Sequence, residues 1–319
     1  MTSPISVYPS FVGLKKETTP GTGVVVTSFV PATTIASEDV RNYTPDAAFR
    51  GSAVAAYNEV PTQGWGTYSF DGPVYLDTIG SVLKGILGAE DLSGTGPYVH
   101  AMSVLNSGTF QAPTYTLVDF NGVEARSFAY GVFNSCQLTY AANDLLKHST
   151  QAQTYASTSV TTPSESFTSA KATAAYKTSV KIAGSTVSTV EAATITVSRP
   201  TNPIIALNNS TSPTAIWGGP VDISGSLTCL YEDDTFLTPM LSGTATSVEF
   251  SLTDADANVL DIKCTNGLFT AAPITRNSNG WMEITVAFTG VANTTDVTTA
   301  GGGYSPGKVT LTNSQSTAY

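Results

Sequence analysis

The chain has 319 residues, 41% hydrophobic and 9% aromatic, enough to bury a full core in one large β domain or two smaller ones. Only 12% are charged, about half the ~25% usual for soluble domains, and Ser, Thr, Ala and Gly take their place. A formal charge of −10 and a pI near 4.5, with no basic stripe, exclude a protein that grips phosphates by counterion release.

Met1 to Val12 lacks a basic region followed by an apolar core, and no apolar run approaches the ~18 residues that span a bilayer. The expectation is a soluble protein made in a cytoplasm, without membrane insertion. Ser10 to Thr22 reads as extended, the end of an N-terminal arm 1–22 that closes in the turn Glu17 to Thr22. Val24 to Val30 is a β-branched, strand-like run closed by Pro31. Glu38 to Ser52 is the most charged stretch of the first third and shows no strand alternation, so a long loop is expected. Loops of that length in compact domains are usually functional or disordered, and Phe49 beside Arg50 pairs an aromatic anchor with a charge, as interfaces favour.

Ala53 to Val60 and Gly66 to Phe70 are expected as paired strands. From Leu76 the period changes: Leu76, Ile79, Val82, Leu83, Ile86 and Leu87 form one stripe of a helix over 76–88. Asp77 or Thr78 can cap its start and Gly88 its end. Gly80 and Gly85 each cost about 1 kcal/mol relative to Ala, so this helix needs support from a sheet or a neighbouring subunit.

Pro97 to Ser103 and Thr114 to Asp119 read as strands, and Phe120 to Val123 carries an Asn-Gly hairpin signal before a long aromatic strand, Ala125 to Tyr140. Ala141 to His148 fits either a helical turn or a strand end. Gln151 to Thr178, rich in Ser, Thr and Ala, is expected as a surface loop or a connection between two halves. Beyond it Val180 to Ile182, Ala192 to Val197, Val221 to Glu232, Ser247 to Thr253, Leu260 to Cys264 and Met282 to Thr289 alternate as strands, and Val309 to Leu311 can close the sheet. The fold class expected is mainly β, a β-sandwich or partial barrel with one docked helix, organised as one domain over 1–319.

Chemistry-bearing constellations are thin. His100 and His148 are far apart, without a Ser or Cys motif nearby, and read as hydrogen-bonded structural or surface residues rather than catalytic bases. Asp254, Asp256 and Asn258 mimic half of a calcium loop, but Val259 and Thr265 stand where Gly and a bidentate acid are needed, so a polar hairpin turn is expected. Glu232 to Asp234 reads as a solvated turn. Cys136, Cys229 and Cys264 have neither disulfide-framework nor metal-site spacing; Cys136 and Cys229 sit in alternating runs, as small buried hydrophobes do. Catalytic residues, cofactor and metal are all expected to be none.

The order of short motifs resembles the major tail tube proteins of long, non-contractile-tailed bacteriophages. Those motifs are Glu17 to Thr22; Phe49-Arg50-Gly51-Ser52; Gly72-Pro73-Val74-Tyr75-Leu76-Asp77-Thr78 leading into a helix ending Leu87-Gly88; Pro97 to His100; Pro113 to Leu117; and Thr194 to Pro200. The resemblance is strongest from Gly13 to Tyr140. It implies six-membered rings stacked into a hollow tube, each subunit adding strands to a barrel around a lumen that passes DNA. It further implies a tape measure protein in the lumen during assembly, and tail terminator and distal tail proteins at the ends. Six acidic subunits would give a negative bore that repels phosphates. By position, Tyr75, Leu76, Ile79 and Leu83 would pack between neighbouring subunits, while the loop 38–52 and the arm, with Glu17, Asp39, Arg41, Phe49 and Arg50, would bridge stacked rings. The alternative class is a cell-surface adhesin or carbohydrate-binding β-sandwich, which the Ser/Thr-rich surface fits as well; a hydrolase would need an acid pair that the sequence does not show.

Overall fold

The computed structural model describes residues 5–276 and 280–319; residues 1–4 of the expected arm lie outside the described residues. In chain order the first half holds β1 (Phe11–Lys16), β2 (Ser28–Val30), β3 (Thr34–Asp46), β4 (Asn58–Pro73), α1 (Gly80–Leu87), β5 (Gly88–Ser93), β6 (Tyr98–Val104), β7 (Tyr115–Phe120), β8 (Ala125–Ala141), β9 (Lys147–Thr154) and β10 (Thr158–Val160). The second half holds β11 (Thr178–Ile182), β12 (Ser185–Thr186), β13 (Val190–Ser198), β14 (Thr201–Ile204), β15 (Ala215–Gly218), β16 (Asp222–Leu230), α2 (Leu237–Ser242), β17 (Thr246–Thr253), β18 (Val259–Ala271), β19 (Ile274–Arg276), β20 (Met282–Gly290) and β21 (Lys308–Asn313).

One long antiparallel sheet runs β3, β4, β9, β8, β13, β16, β20, and ends on the tail of β18 continued by β19. Its inner face packs on a second layer. That layer holds β7 with β1 and β17 with β11; Tyr140 of β8 and Phe288 of β20 both stack on Phe250 of β17, at 5.4 and 6.3 Å between ring centroids. β8 and β18 are long enough to serve both layers, pairing with β7 and β17 at their starts and with β9 and β20 further on. The long sheet stays open, with β3 and β19 at its two ends, so the subunit is a sandwich and not a closed barrel.

The two halves repeat one another. β1, β2, β3, β4, α1, β7, β8, β9 and β10 correspond to β11, β12, β13, β16, α2, β17, β18, β20 and β21, with β5 and β6 inserted in the first half only. Registers coincide: Thr67 faces Gln153 where Ser224 faces Thr289, and Leu117 faces Phe128 where Val248 faces Cys264. The β-bulges coincide as well, between Phe133 and Ser135 against β9 and between Phe269 and Ala271 against β20, and between Tyr115 and Leu117 and between Thr246 and Val248 in the other layer. β8 of the first repeat pairs with β13 of the second, which joins them into one sheet.

Alternation explains the core. Buried residues alternate with wetter ones from Ala193 to Val197 in β13 and from Ile284 to Gly290 in β20, and β16 follows the same period with Gly225 half-buried between Ile223 and Leu227; Val197, Ile223, Leu227, Ile284 and Val286 meet residues of the first half in one apolar cluster running from Val12 to Leu311.

Several sequence expectations change. The stretch 38–52 is not a loop through most of its length: β3 runs to Asp46 and pairs with β4. Its polar side chains hid the strand because this hairpin is wet on both faces beyond Val40. The expected strands over 53–60 and 66–70 are one strand, β4, starting at Asn58. Gln151 to Thr154 belongs to β9 inside the sheet and is not part of a connection. The Asn-Gly turn is a four-residue loop in which only Gly122 has positive φ, while the Asn121 side chain accepts the amides of Val123 and Glu124. The helix is shorter than 76–88, with Leu76 to Ile79 forming a turn before Gly80. Neither Asp77 nor Thr78 caps it: Thr168 donates to Asp77, and Thr78 donates to the Tyr75 carbonyl. A second short helix, α2, stands at the corresponding place of the second repeat.

Candidate assembly surfaces

The outer face of the long sheet is paved with small polar side chains in rows across the strands. One row reads Ala36, Ser69, Gln151, Ser135, Ser198, Asp222; the next reads Asp71, Ser149, Gln137, Thr196, Ser224, Thr289. Gln137 donates to Thr196 at 3.2 Å, the Thr194 and Ser226 hydroxyls meet at 2.9 Å, and those of Thr228 and Thr285 at 3.4 Å. Charge on this face is sparse and mostly negative, with Glu38, Asp71, Asp222 and Glu283 beside one cation among the described residues, Lys147, which pairs with Asp144.

Past the end of β9, β3 and β4 continue as a two-stranded arm. Gln63 and Gly64 tie its root to the 205–214 loop, the Gln63 amide donating to the Ala206 carbonyl at 2.9 Å and to Asn208 Oδ1 at 2.7 Å, and the Gly64 amide to the Thr211 carbonyl. The arm leaves Tyr43, Phe49, Val54 and Val60 in solvent, Phe49 completely so. Arg50 pairs with Asp46, and its guanidinium lies 4.9 Å from the Tyr57 ring centroid, which stiffens the tip.

The residues expected at interfaces separate into two groups. Asp39, Arg41, Phe49 and Arg50 all lie exposed on β3 or at the arm's tip. Asp39 accepts the amide and hydroxyl of Ser157 at 2.7 and 2.6 Å, which fastens the arm's base to the segment before β10. Tyr75 is half-buried. Leu76, Ile79 and Leu83, by contrast, are 2%, 1% and 0% exposed, and every residue of α1 is buried within the subunit. An amphipathic stripe reads the same whether its face meets a neighbouring subunit or the chain's own sheets; here α1 packs on β8 and β6, so these side chains have no surface to offer a neighbour. Its glycines serve that packing: a Cβ on Gly80 would lie 2.2 Å from the Tyr319 ring, and one on Gly85 would lie 2.4 Å from the Phe133 ring.

Glu17 is also internal, 6% exposed. Its carboxylate accepts the amides of Gly21 and Tyr130 and the hydroxyls of Thr114 and Thr116, at 2.7 to 3.0 Å, and so pins the first turn onto β7 and β8. Sequence reasoning missed two further anchors. Arg199, 4% exposed at the end of β13, donates to the carbonyls of Gly219, Ile86 and Phe110, and burial lowers its pKa. Glu90 holds His100 Nδ1 at 2.7 Å and Lys84 at 3.2 Å, with the Tyr319 ring 4.8 Å from the imidazole; burial depresses the Lys84 pKa against the pull of Glu90. Arg199 and His100 each sit in one of the short motifs of the sequence, Thr194 to Pro200 and Pro97 to His100, but nothing in those motifs marks them as buried anchors.

His148 is buried as expected of a structural histidine, and desolvation depresses its pKa to about 4. All three cysteines are free and buried; Cys136 and Cys264 are pushed up to about 12 and Cys229 to about 11 by desolvation, so they are packing groups rather than nucleophiles. Asp254 accepts the amides of Asp256 and Asn258, the polar hairpin turn between β17 and β18. No described group of His, Cys, Asp and Glu clusters as a metal site, and no described helix is long and apolar enough to cross a membrane.

An open sandwich with a hydroxyl-paved sheet and a projecting arm is built for association, and comparison with known families gives that association a context. The family model of the phage tail tube protein matches residues 10–290. The chain belongs to the phage tail tube protein family. As a tail tube protein it is a structural component of the virion tail and assembles, with other tail proteins, into a tube. Comparison with curated proteins gave no match.

Proposed function

We propose that this tail tube protein forms stacked, six-membered rings around a lumen, in the tail of a phage with a long, non-contractile tail, and that the outer face of its long sheet lines that lumen. The tube itself follows from family membership, and the observation that carries the placement of this face in the lumen is the pairing of an uncharged Ser/Thr/Gln pavement with a few carboxylates. Hydroxyls and amides give a passing duplex no cation to bind, and Glu38, Asp71, Asp222 and Glu283 repel its phosphates, so DNA slides. The arm, with Asp39, Arg41, Phe49 and Arg50, reaches beyond the sheet and bridges to the next ring; Tyr75 offers part of its ring to a neighbour. A tape measure protein fills the lumen during assembly in the host cytoplasm, and terminator and distal tail proteins close the ends.

Family membership favours this over the adhesin or carbohydrate-binding reading, which the polar surface alone fits equally. Negative-stain electron microscopy of the purified protein at rising concentration tests it. Hollow tubes or rings are expected; a monomer at every concentration that binds a glycan array would overturn it.

A further inference from the structure

We infer that each chain supplies two of the tube's repeating units, so that the six-unit ring of the proposed function closes with three chains. In that ring the β19 edge of one copy pairs with the β3 edge of the next. The inference rests on the ring reading above and concerns how many chains make a ring and which strands meet.

The chain already contains one copy of this contact. β8, the last position of the first repeat across the long sheet, pairs antiparallel with β13, the first position of the second, from Ser135 opposite Ser198 to Ala141 opposite Ala192. The coinciding registers carry that junction onto the free edges. Ser135 to Tyr140 correspond to Ala271 to Arg276, because both sets stand at the same distance past the equivalent bulges and face the same rungs of β9 and β20. Ala193 to Ser198 correspond to Ile35 to Val40, which face β4 as the former face β16. The contact between copies then pairs Ala271 with Val40 of the partner subunit, Thr275 with Ala36 of the partner subunit, and Arg276 with Ile35 of the partner subunit.

Both edges are in a state to do this. β3 is thirteen residues long and, among the described residues, pairs only with β4. An uncovered edge of that length is a template for another strand, which soluble proteins avoid unless a partner takes it. Ala36 and Thr275 are exposed. Pro273, the one residue of the β19 edge without an N–H, turns its carbonyl to the Thr285 amide; a residue's N–H and C=O point to the same side in an antiparallel strand, so the missing donor faces β20 and not the open edge.

Barrel geometry agrees. Eight strand positions per chain give 24 strands for three chains. At a spacing of about 4.8 Å, those strands enclose roughly 37 Å between backbones, before strand tilt widens the ring. Six chains would close 48 strands and double that bore.

Two measurements test the inference. Cryo-electron microscopy of wild-type tubes is expected to show three-fold rotation about the axis, with pseudo-six-fold density and three 33.1 kDa chains per ring. Six identical chains per ring would overturn it while leaving the tube function intact; a protein that never forms rings or tubes would overturn both. In the double variant Ala36→Cys with Thr275→Cys, oxidation of assembled tubes is expected to give a reductant-sensitive ladder in denaturing gels that ends at the trimer, since opposed strand residues lie within disulfide reach. The native thiols are buried and do not compete. A ladder continuing to six, or cross-linking of Ala36→Cys to Ala271→Cys in preference to Thr275→Cys, would refute the chain count or the register respectively.

Discussion

Gly131 and Gly267 occupy the same place in the two repeats. Each sits beside a bulge where β8 or β18 passes from one layer to the other. A Cβ on Gly131 would lie 2.6 Å from the Tyr115 carbonyl oxygen, and one on Gly267 would lie 2.8 Å from the Thr246 carbonyl oxygen. Both contacts are with backbone, which cannot swing away. Gly131→Ala and Gly267→Ala are each expected to destabilise the subunit by about 1–3 kcal/mol, the cost of overpacking, and by similar amounts. Urea unfolding of the two variants measures this, and a neutral result for either would remove it from the set of equivalent positions.

Glu17→Ala removes the acceptor for two amides and two hydroxyls while leaving the donors in place. Bonds to a charged group are worth about 1.5–3 kcal/mol each in context and do not add, so a loss of about 3 kcal/mol is expected, with Glu17→Gln losing less. The monomer's chemical unfolding midpoint reports it.

Arg199 is a buried cation held by carbonyls alone among its described hydrogen bonds, tying the loop at Phe110 and the end of α1 to the β13 terminus. Arg199→Met keeps volume and removes the charge but orphans the three carbonyls. Destabilisation of roughly 2–4 kcal/mol is expected, and Arg199→Lys should rescue little, because a single ammonium cannot span three divergent acceptors. Thermal unfolding of the three proteins side by side separates these outcomes.

His148 titrates near 4 in the folded protein against about 6.5 unfolded. Between those values the unfolded chain binds the proton and the native state does not, so stability rises with pH across the window and falls as the pH is lowered from about 6.5 to 4. The full effect is on the order of 3 kcal/mol. His148→Phe is expected to flatten this part of the curve of unfolding free energy against pH; an unchanged slope would show that carboxylates elsewhere carry it.

Removing the arm beyond the sheet, by joining Arg41 to Thr62 through a short turn, cuts hairpin that is exposed or half-buried and takes no residue from the core. The variant is expected to unfold within about 1 kcal/mol of wild type, since surface changes away from the core cost little. Rings without long tubes are the expected product in the microscope, and tubes of normal length would show that the arm does not bridge rings.

Composition, alternation and turn residues were enough to name a β-sandwich, because burying one face of a strand writes a period of two into the chain, as along β13, β16 and β20. The short motifs from Glu17 to Pro200 were enough to point to the tail tube family. Two things were not written locally. β3 beyond Val40 has both faces in water, so no period marks it, and α1 shows one stripe whichever partner covers it. The duplication left only a thin trace, Gly131-Val132-Phe133 with Leu138-Thr139 against Gly267-Leu268-Phe269 with Ile274-Thr275. Once a strand's two faces and its bulges are satisfied, almost any residue of the right polarity serves, and the repeat survives in register rather than in identity. Which faces meet, and that one chain carries two copies of the same sheet, was decided only when β8 paired with β13.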